Sequence, residues 1–182
     1  MSWRDYFAKM RGTNRGNPPR VDNREILWSW IGAFLGISAA AFLSGTFLEG
    51  YDLTLMIGSI GASAVLVYGA PRSPLAQPRN LVAGHVLSAI VGVACWKLMH
   101  AYPWLAASAA VATAIALMHA TRTLHPPGGA SALIAVIGSP EVHDLGFLYV
   151  LVPCTVAPIV LLAVALVVNN IPQSRRYPEY WF

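Results

Sequence analysis

Charge is what this chain has least of. Of its 182 residues only 11% are Asp, Glu, Lys or Arg, against 56% hydrophobic, and a soluble domain carries about 25% charged residues. The charges are also segregated, with none between Glu25 and Glu49 and none between Asp144 and Arg175. Gaps of that length exclude an ordinary water-soluble core and point to a polytopic membrane protein. Cysteine is scarce as well: Cys95 and Cys154 both fall in apolar segments without CxxC spacing, so a disulfide framework is excluded and buried thiols are expected. HExxH and paired His/Cys spacings are missing, and the apolar segments hold no carboxylates, which argues against a metal site and implies no cofactor. Equally absent are a Gly-x-Ser-x-Gly elbow, a phosphate loop with its Lys, and paired acids within a span, so the expectation is that the chain is not an enzyme. An intramembrane Ser/His hydrolase is the one class that the letters alone leave open. The net charge of +4 does not indicate nucleic acid, because the basic residues sit in polar segments and at the ends of apolar ones, as the positive-inside rule expects.

What the chain does have is a succession of apolar segments punctuated by Pro and Gly. Residues 1–25 hold six basic residues against three acidic ones. Within them Trp3, Tyr6, Phe7 and Met10 recur at i, i+3, i+4 and i+7, the pattern of a short helix lying on a membrane surface, and Gly12–Pro19 reads as a linker. A leader this long and polar, poor in serine and carrying acidic residues, reads neither as a signal peptide nor as a transit peptide. Segment one covers about 26–44, segment two 53–70, segment three 81–99 and segment four 103–121. A short segment five covers 128–138, and segment six covers 145–168, where Pro153 and Pro158 are expected to introduce kinks. The tail, 171–182, combines Arg175 and Arg176 with Tyr177, Tyr180, Trp181 and Phe182, an aromatic set suited to the membrane interface.

If all six segments cross and the N-terminus is cytoplasmic, every Lys and Arg except Lys97 lies on the cytoplasmic side and both termini are cytoplasmic. Lys97 would then snorkel outward. A re-entrant segment five, giving five spans, is the competing topology. The expected fold is therefore all-α, a polytopic membrane helical bundle forming one domain over 26–170. It would be built as two inverted three-segment halves, about 26–99 and 103–168, in which the second and fifth segments are short or broken.

The stretch that organises this reading is His125-Pro-Pro-Gly-Gly-Ala-Ser-Ala132. Consecutive prolines end one helix and are tolerated in the first turn of the next, and the small residues after them are expected to leave backbone N–H groups open. Segment two holds Gly61-Ala-Ser-Ala64 and segment five Gly129-Ala-Ser-Ala132, each in the middle of a three-segment half. That echo matches the inverted-repeat plan of many transporters, where interrupted segments at corresponding positions mark the binding site. Small-residue packing faces would produce the same letters.

A helix N-terminus favours an anion without a fixed full charge. Two such ends facing each other at mid-membrane are the expected site, with Gly61, Ala62 and Ser63 on one side and Gly128, Gly129, Ala130 and Ser131 on the other. Thr121, Arg122, Asn80 and His85 flank it. His125 is the foremost candidate, because it adjoins the opening and can exchange a proton near neutral pH, although it would equally serve as a helix cap bonding its own backbone. Arg79 and Arg122 also suit topology charges, His119 is a weaker candidate, and His100 and His143 are expected in loops.

From Trp28 onward the chain resembles the HPP family of integral membrane proteins. The likeness rests on Thr121-Arg-Thr-Leu-His-Pro-Pro-Gly-Gly-Ala-Ser-Ala-Leu133, Gly58-Ser-Ile-Gly-Ala-Ser-Ala64, Gly69-Ala-Pro71, Ser73-Pro-Leu-Ala-Gln-Pro-Arg-Asn80, Gly84-His85, Asn169-Asn170 and Arg176-Tyr-Pro-Glu-Tyr-Trp181. The resemblance implies at least four spans and, from members implicated in nitrite transport in cyanobacteria and chloroplast envelopes, nitrite as the candidate ion. The residues by themselves indicate only a small monovalent anion as partner, together with the lipid bilayer. The leading expectation is nitrite or similar oxyanion transport in a bacterial inner membrane, with proton coupling open and a homodimer allowed by the small bundle size. Two other classes compete: a non-transporting membrane subunit that binds a partner protein, and a histidine-based cation or metal carrier.

Overall fold

The computed structural model describes residues 3–10, 20–46, 48 and 50–182; the linker Gly12–Pro19 and Glu49 lie outside them. No strand occurs among the described residues. Helix α1, Trp3–Lys9, exposes Phe7 and leads to Met10, which is exposed as well. Helix α2, Asn23–Ser44, starts where the Asp22 carboxylate accepts the Glu25 N–H at 2.8 Å, a side-chain cap that satisfies one of the unpaired amides of the first turn. The polar Asn-Arg-Glu triplet is thus already helical, three residues ahead of the apolar run.

Small residues every fourth position make the seams. Gly32, Gly36, Ala40 and Ser44 are buried along α2, and the Tyr68 ring lies across Gly32 and Gly36. Helix α3, Gly50–Ala64, supplies that ring from the π-helical turn Val65–Gly69 that continues it. Helix α4, Pro78–Met99, is the central column; helix α5, Pro103–Ala120, packs on it through Ala106, Ala110, Ala114 and Met118. Close backbone approach of this kind is how helices associate where lipid removes the hydrophobic drive. Helix α5 stops at Thr121 because Arg122 adopts a left-handed conformation, φ 57°, and the Thr123 N–H turns back to the Met118 carbonyl at 2.8 Å, as helix C-termini commonly do.

Helix α6, Pro126–Ile137, has 12 residues and is about 18 Å long. It touches α3, α4 and α5. Short helices α7 (Pro140–Leu145) and α8 (Leu148–Leu151) follow, and α9, Val156–Val168, closes the bundle against α2. Segment six is broken at 152–155 rather than kinked, and Pro158 falls in the first turn of α9, where a proline costs no helical bond. Among the described residues four apolar stretches are long enough to cross a membrane: Asn23–Ser44, Pro78–Met99, Pro103–Ala120 and Leu148–Val168. Leu55–Gly69 and Pro126–Ile137 are the shorter apolar helices.

Contacts fix the two ends of the bundle. At one end the start of α2, the π turn, the loop before α4 and the tail converge. The Arg175 guanidinium bonds Glu25 at 2.8 Å, the Tyr68 carbonyl, Asn169, the Glu25 carbonyl and Ser29, so all five of its N–H donors are used. The tail is therefore folded against the protein: Tyr177 is buried and donates to the Ala76 carbonyl at 2.7 Å, although Tyr180, Trp181 and Phe182 remain exposed. At the opposite end Asp52 accepts from the Ser139 N–H and hydroxyl, and His143 stacks on Trp96.

Candidate functional site

Glycine brings the site together. A Cβ on Gly84 would lie 2.6 Å from His125 Cβ, and one on Gly128 would lie 2.6 Å from the Gly84 carbonyl oxygen. Helices α4 and α6 therefore touch backbone to backbone, and two histidines at that crossing lie with ring centroids 5.1 Å apart. Both are fully buried, as are Ser63 and Ser131. Position 85 is seven residues into α4, about 10 Å from its start at 1.5 Å per residue, so the crossing lies inside the bundle.

The four side chains form a continuous hydrogen-bonded run. Ser131 Oγ lies 2.7 Å from His85 Nδ1, His85 Nε2 lies 2.8 Å from Ser63 Oγ, and Ser63 Oγ lies 2.9 Å from His125 Nε2. His125 Nδ1 ends the run at the Leu75 carbonyl, 2.7 Å away. Ser59 extends the other end, with its hydroxyl 3.3 Å from Ser131 Oγ and 3.0 Å from the Pro127 carbonyl oxygen. Tyr149 donates to the Ser131 carbonyl at 3.0 Å. His85 thus joins the two serines of the Gly-Ala-Ser-Ala echo, and in both copies the Ser-Ala pair is buried.

Several expectations are corrected by this geometry. The starts of α3 and α6 do not face each other. Ser63, near the end of α3, meets His125 at the start of α6, whereas Asp52, at the start of α3, meets Ser139 beyond the end of α6. The two helices are antiparallel, with their N-termini separated by roughly the 18 Å length of α6. Nor does α6 offer a row of open amides. Pro126 and Pro127 have none, and the Gly128 N–H is bonded to the His125 carbonyl at 2.9 Å. What remains at the cluster is the positive end of the α6 dipole. His125 is the N-cap residue of α6 but makes no side-chain cap bond; its ring reaches across to Leu75 instead.

The remaining candidates are dispersed. Ala62 is exposed, and space is open beside Gly61. Gly129 and Ala130 line an apolar groove of about 540 Å³ between α5 and α6, together with Val111, Ile115 and His119. Gly128 packs on α4. Asn80 anchors the approach to His125 by donating to the Leu124 carbonyl at 2.9 Å, and Arg79 donates to the Thr121 carbonyl at 2.8 Å. Thr121 bonds Leu117 and Thr123, and Arg122 is exposed at its helix-ending turn. His143 bonds the Val136 carbonyl at 3.1 Å. Ser59, Tyr149 and the Leu75 carbonyl are participants that the sequence reading missed. Ser59 had a signal, since it lies one helical turn before Ser63; a backbone carbonyl has none.

Chemically the cluster offers hydroxyls, imidazoles and a positive helix end. Among the described residues no carboxylate bonds to it. Among the described residues no three of His, Cys, Asp and Glu gather as metal ligands would.

The family model described as "HPP, transmembrane region" matches residues 18–178. Two proteins of Dictyostelium discoideum, each described as a transmembrane protein, are similar over nearly the whole chain. One is 44% identical over 180 residues, 97% of this chain and 57% of the relative; the other is 43% identical over 181 residues, 97% of this chain and 63% of the relative. The chain thus spans about three-fifths of the length of these relatives. No solved structure matches it. With four apolar stretches of spanning length among the described residues and a family match over most of its length, the chain is a membrane protein that belongs to the HPP family.

Proposed function

We propose that this chain transports a small monovalent oxyanion, nitrite foremost, through the Ser/His cluster where α3, α4 and α6 meet. The observation that carries the proposal is Ser63 Oγ, a buried hydroxyl held between two imidazole nitrogens at 2.8 and 2.9 Å, where a hydroxyl and an imidazole N–H can be turned toward an oxyanion. The positive end of α6 and the absence of a bonded carboxylate favour a negative guest over a cation. Because hydroxyls and imidazoles bind without a fixed full charge, the guest is held weakly enough to leave. The facing N-termini of two broken helices are no part of this mechanism.

The topology we propose is six alternating passes in two inverted halves, with α3 and α6 as the antiparallel middle members, in a bacterial inner membrane. The start of α2 and the tail share one end through the Arg175–Glu25 contact, with Arg72, Arg79 and Arg122, and this basic excess supports a cytoplasmic assignment of that end. A transporter rather than an enzyme is the role this implies, and a homodimer in the bilayer is compatible with it.

The test is flux in proteoliposomes containing the full chain. Wild type is expected to admit nitrite faster than nitrate or formate, and His125→Ala is expected to fall at least about tenfold while still eluting as folded protein. Background flux in wild type, or undiminished flux in His125→Ala, contradicts the reading. One observation favours a second reading, that of a non-transporting membrane subunit which binds a partner protein: among the described residues, every buried side-chain nitrogen and oxygen already has a partner, as in a static core. That reading predicts background flux with the fold intact.

A further inference from the structure

The hydrogen-bond distances, taken with donor and acceptor chemistry, fix the proton on every atom of the cluster. A carbonyl only accepts, so His125 Nδ1, 2.7 Å from Leu75 O, carries a hydrogen. In a neutral ring Nε2 is then bare, and the Ser63 hydrogen goes to it across 2.9 Å rather than to the Ser59 carbonyl at 3.3 Å, because two bare lone pairs would otherwise face each other at the shorter distance. Ser63 has a single hydroxyl hydrogen, so the bond to His85 at 2.8 Å must be donated by His85 Nε2. His85 Nδ1 is then bare, and Ser131 donates to it across 2.7 Å. The result is one directed chain, Ser131 to His85 to Ser63 to His125 to Leu75 O, with opposite tautomers on the two histidines.

We propose that this chain is a one-proton relay, loaded at His85 Nδ1 and discharged to His125 Nε2 through Ser63. The bookkeeping of atoms closes. When a proton binds His85 Nδ1, the Ser131 hydroxyl turns to accept it and points its own hydrogen at Ser59, 3.3 Å away. Ser59 continues to donate to the Pro127 carbonyl at 3.0 Å. His85 Nε2 then passes its hydrogen to Ser63 Oγ as Ser63 passes its own to His125 Nε2. His85 is left neutral with its hydrogen on Nδ1, and His125 is left cationic, donating to Leu75 and Ser63. In the transfer one O–H and one N–H bond break and one of each forms; the added proton is given up by hydronium, which leaves as water, and no oxidant enters.

The surroundings suit a single proton. The groups facing the rings are Ser59 and Ser63 from α3, Ser131 from α6, the Leu75 carbonyl from the loop before α4, and Tyr149 of α8 on the Ser131 carbonyl. Cys154 lies buried within bonding reach of Tyr149 and Ser131. None of these groups is a carboxylate, Lys or Arg, so the loaded chain has one buried positive charge without a protein counter-ion. Rings 5.1 Å apart disfavour a second. The missing counter-ion is what a monovalent anion supplies. This rests on the transport reading above and would couple one proton to each anion carried.

The test is nitrogen NMR of the full chain, labelled with ¹⁵N-histidine, in lipid nanodiscs without added anion. The expected spectrum of the neutral form has His125 protonated at Nδ1 and His85 at Nε2. On acidification both rings respond in one shared transition that takes up a single proton. Ser63→Ala should split that transition into two independent ones, and Ser63→Thr, which restores the hydroxyl, should rejoin them. Either ring in the other tautomer, or a shared transition that persists in Ser63→Ala, overturns the relay. If the tautomers and shared transition are found but proteoliposomes show no nitrite flux, the relay stands and the transport reading fails; wrong tautomers with intact flux overturn the relay and leave the transport reading standing.

Discussion

The Arg175 network and the Ser/His cluster, both buried polar networks, are built on opposite plans. At the basic end the Arg175 guanidinium uses all five donors on fixed acceptors, including the Glu25 carboxylate and the Tyr68 carbonyl. It stays charged at any physiological pH, so it has one arrangement and serves as a clamp between tail, α2 and the π turn. In the Ser/His cluster no member carries a fixed charge. Between its two terminal carbonyls, Leu75 and Pro127, the links are hydroxyls and imidazoles that can reverse their roles, and one added proton reorders the bonds from Ser131 to His125. The first network holds the fold in a single state, and the second allows two.

Breaking the clamp should have the largest effect on stability. Arg175→Ala removes the cation from the Glu25 carboxylate, which keeps only the Ser174 hydroxyl, and leaves the Tyr68 carbonyl with Ser29 alone; removing one partner of a buried ion pair costs about 3–5 kcal/mol. Thermal unfolding in detergent should show that loss, and Arg175→Lys should not recover it, because an ammonium cannot reach five acceptors in a plane. Protein that does fold should keep its nitrite flux per molecule.

Gly84→Ala comes next. Its Cβ would meet His125 Cβ at 2.6 Å, forcing α4 and α6 apart at a cost of about 1–3 kcal/mol and pulling His125 from Ser63. Stability and flux should fall together, unlike in the clamp variant, whose flux per folded molecule holds. Ser63→Ala inverts the clamp result. It leaves imidazole groups without a partner, about 1–3 kcal/mol, with flux falling further than the melting temperature would suggest.

The smallest effect belongs to the tail. Burial of the Tyr177 phenol pushes its pKa above the ordinary value. The unfolded chain therefore loses that proton first, and stability falls as pH rises through about 10. Tyr177→Phe forfeits the bond to Ala76, about 1 kcal/mol, but should remove this contribution to the alkaline loss, seen as a shallower decline of melting temperature between neutral pH and pH above 10.

The two networks were unequally legible in the sequence. His125, His85, Ser63 and Ser131 stood out because an ionisable or polar residue in an apolar stretch demands an explanation, and the repeated Gly-Ala-Ser-Ala marked two of them. The sense in which α3 and α6 meet was not legible. Both read as short helices opening on small residues, and only the contacts reveal that the end of one lies at the start of the other. Arg175 read as a topology charge because a tail that folds back onto α2 leaves no periodic signature, and the break at 152–155 read as a kink because Pro153 announces an interruption without its geometry. Helix ends shifted for local reasons: the Asp22 cap extends α2 into polar sequence, and Arg122 supplies a left-handed stop that propensity would assign to glycine.

The most direct measurement is the initial rate of nitrite entry into proteoliposomes bearing wild type or Ser63→Ala at matched protein content and matched folded fraction. The account predicts nitrite-dependent entry in wild type that drops at least about tenfold when the Ser63 hydroxyl is removed. Equal rates in the two proteins would contradict it, because the oxygen between the two imidazoles would then take no part in what the protein carries.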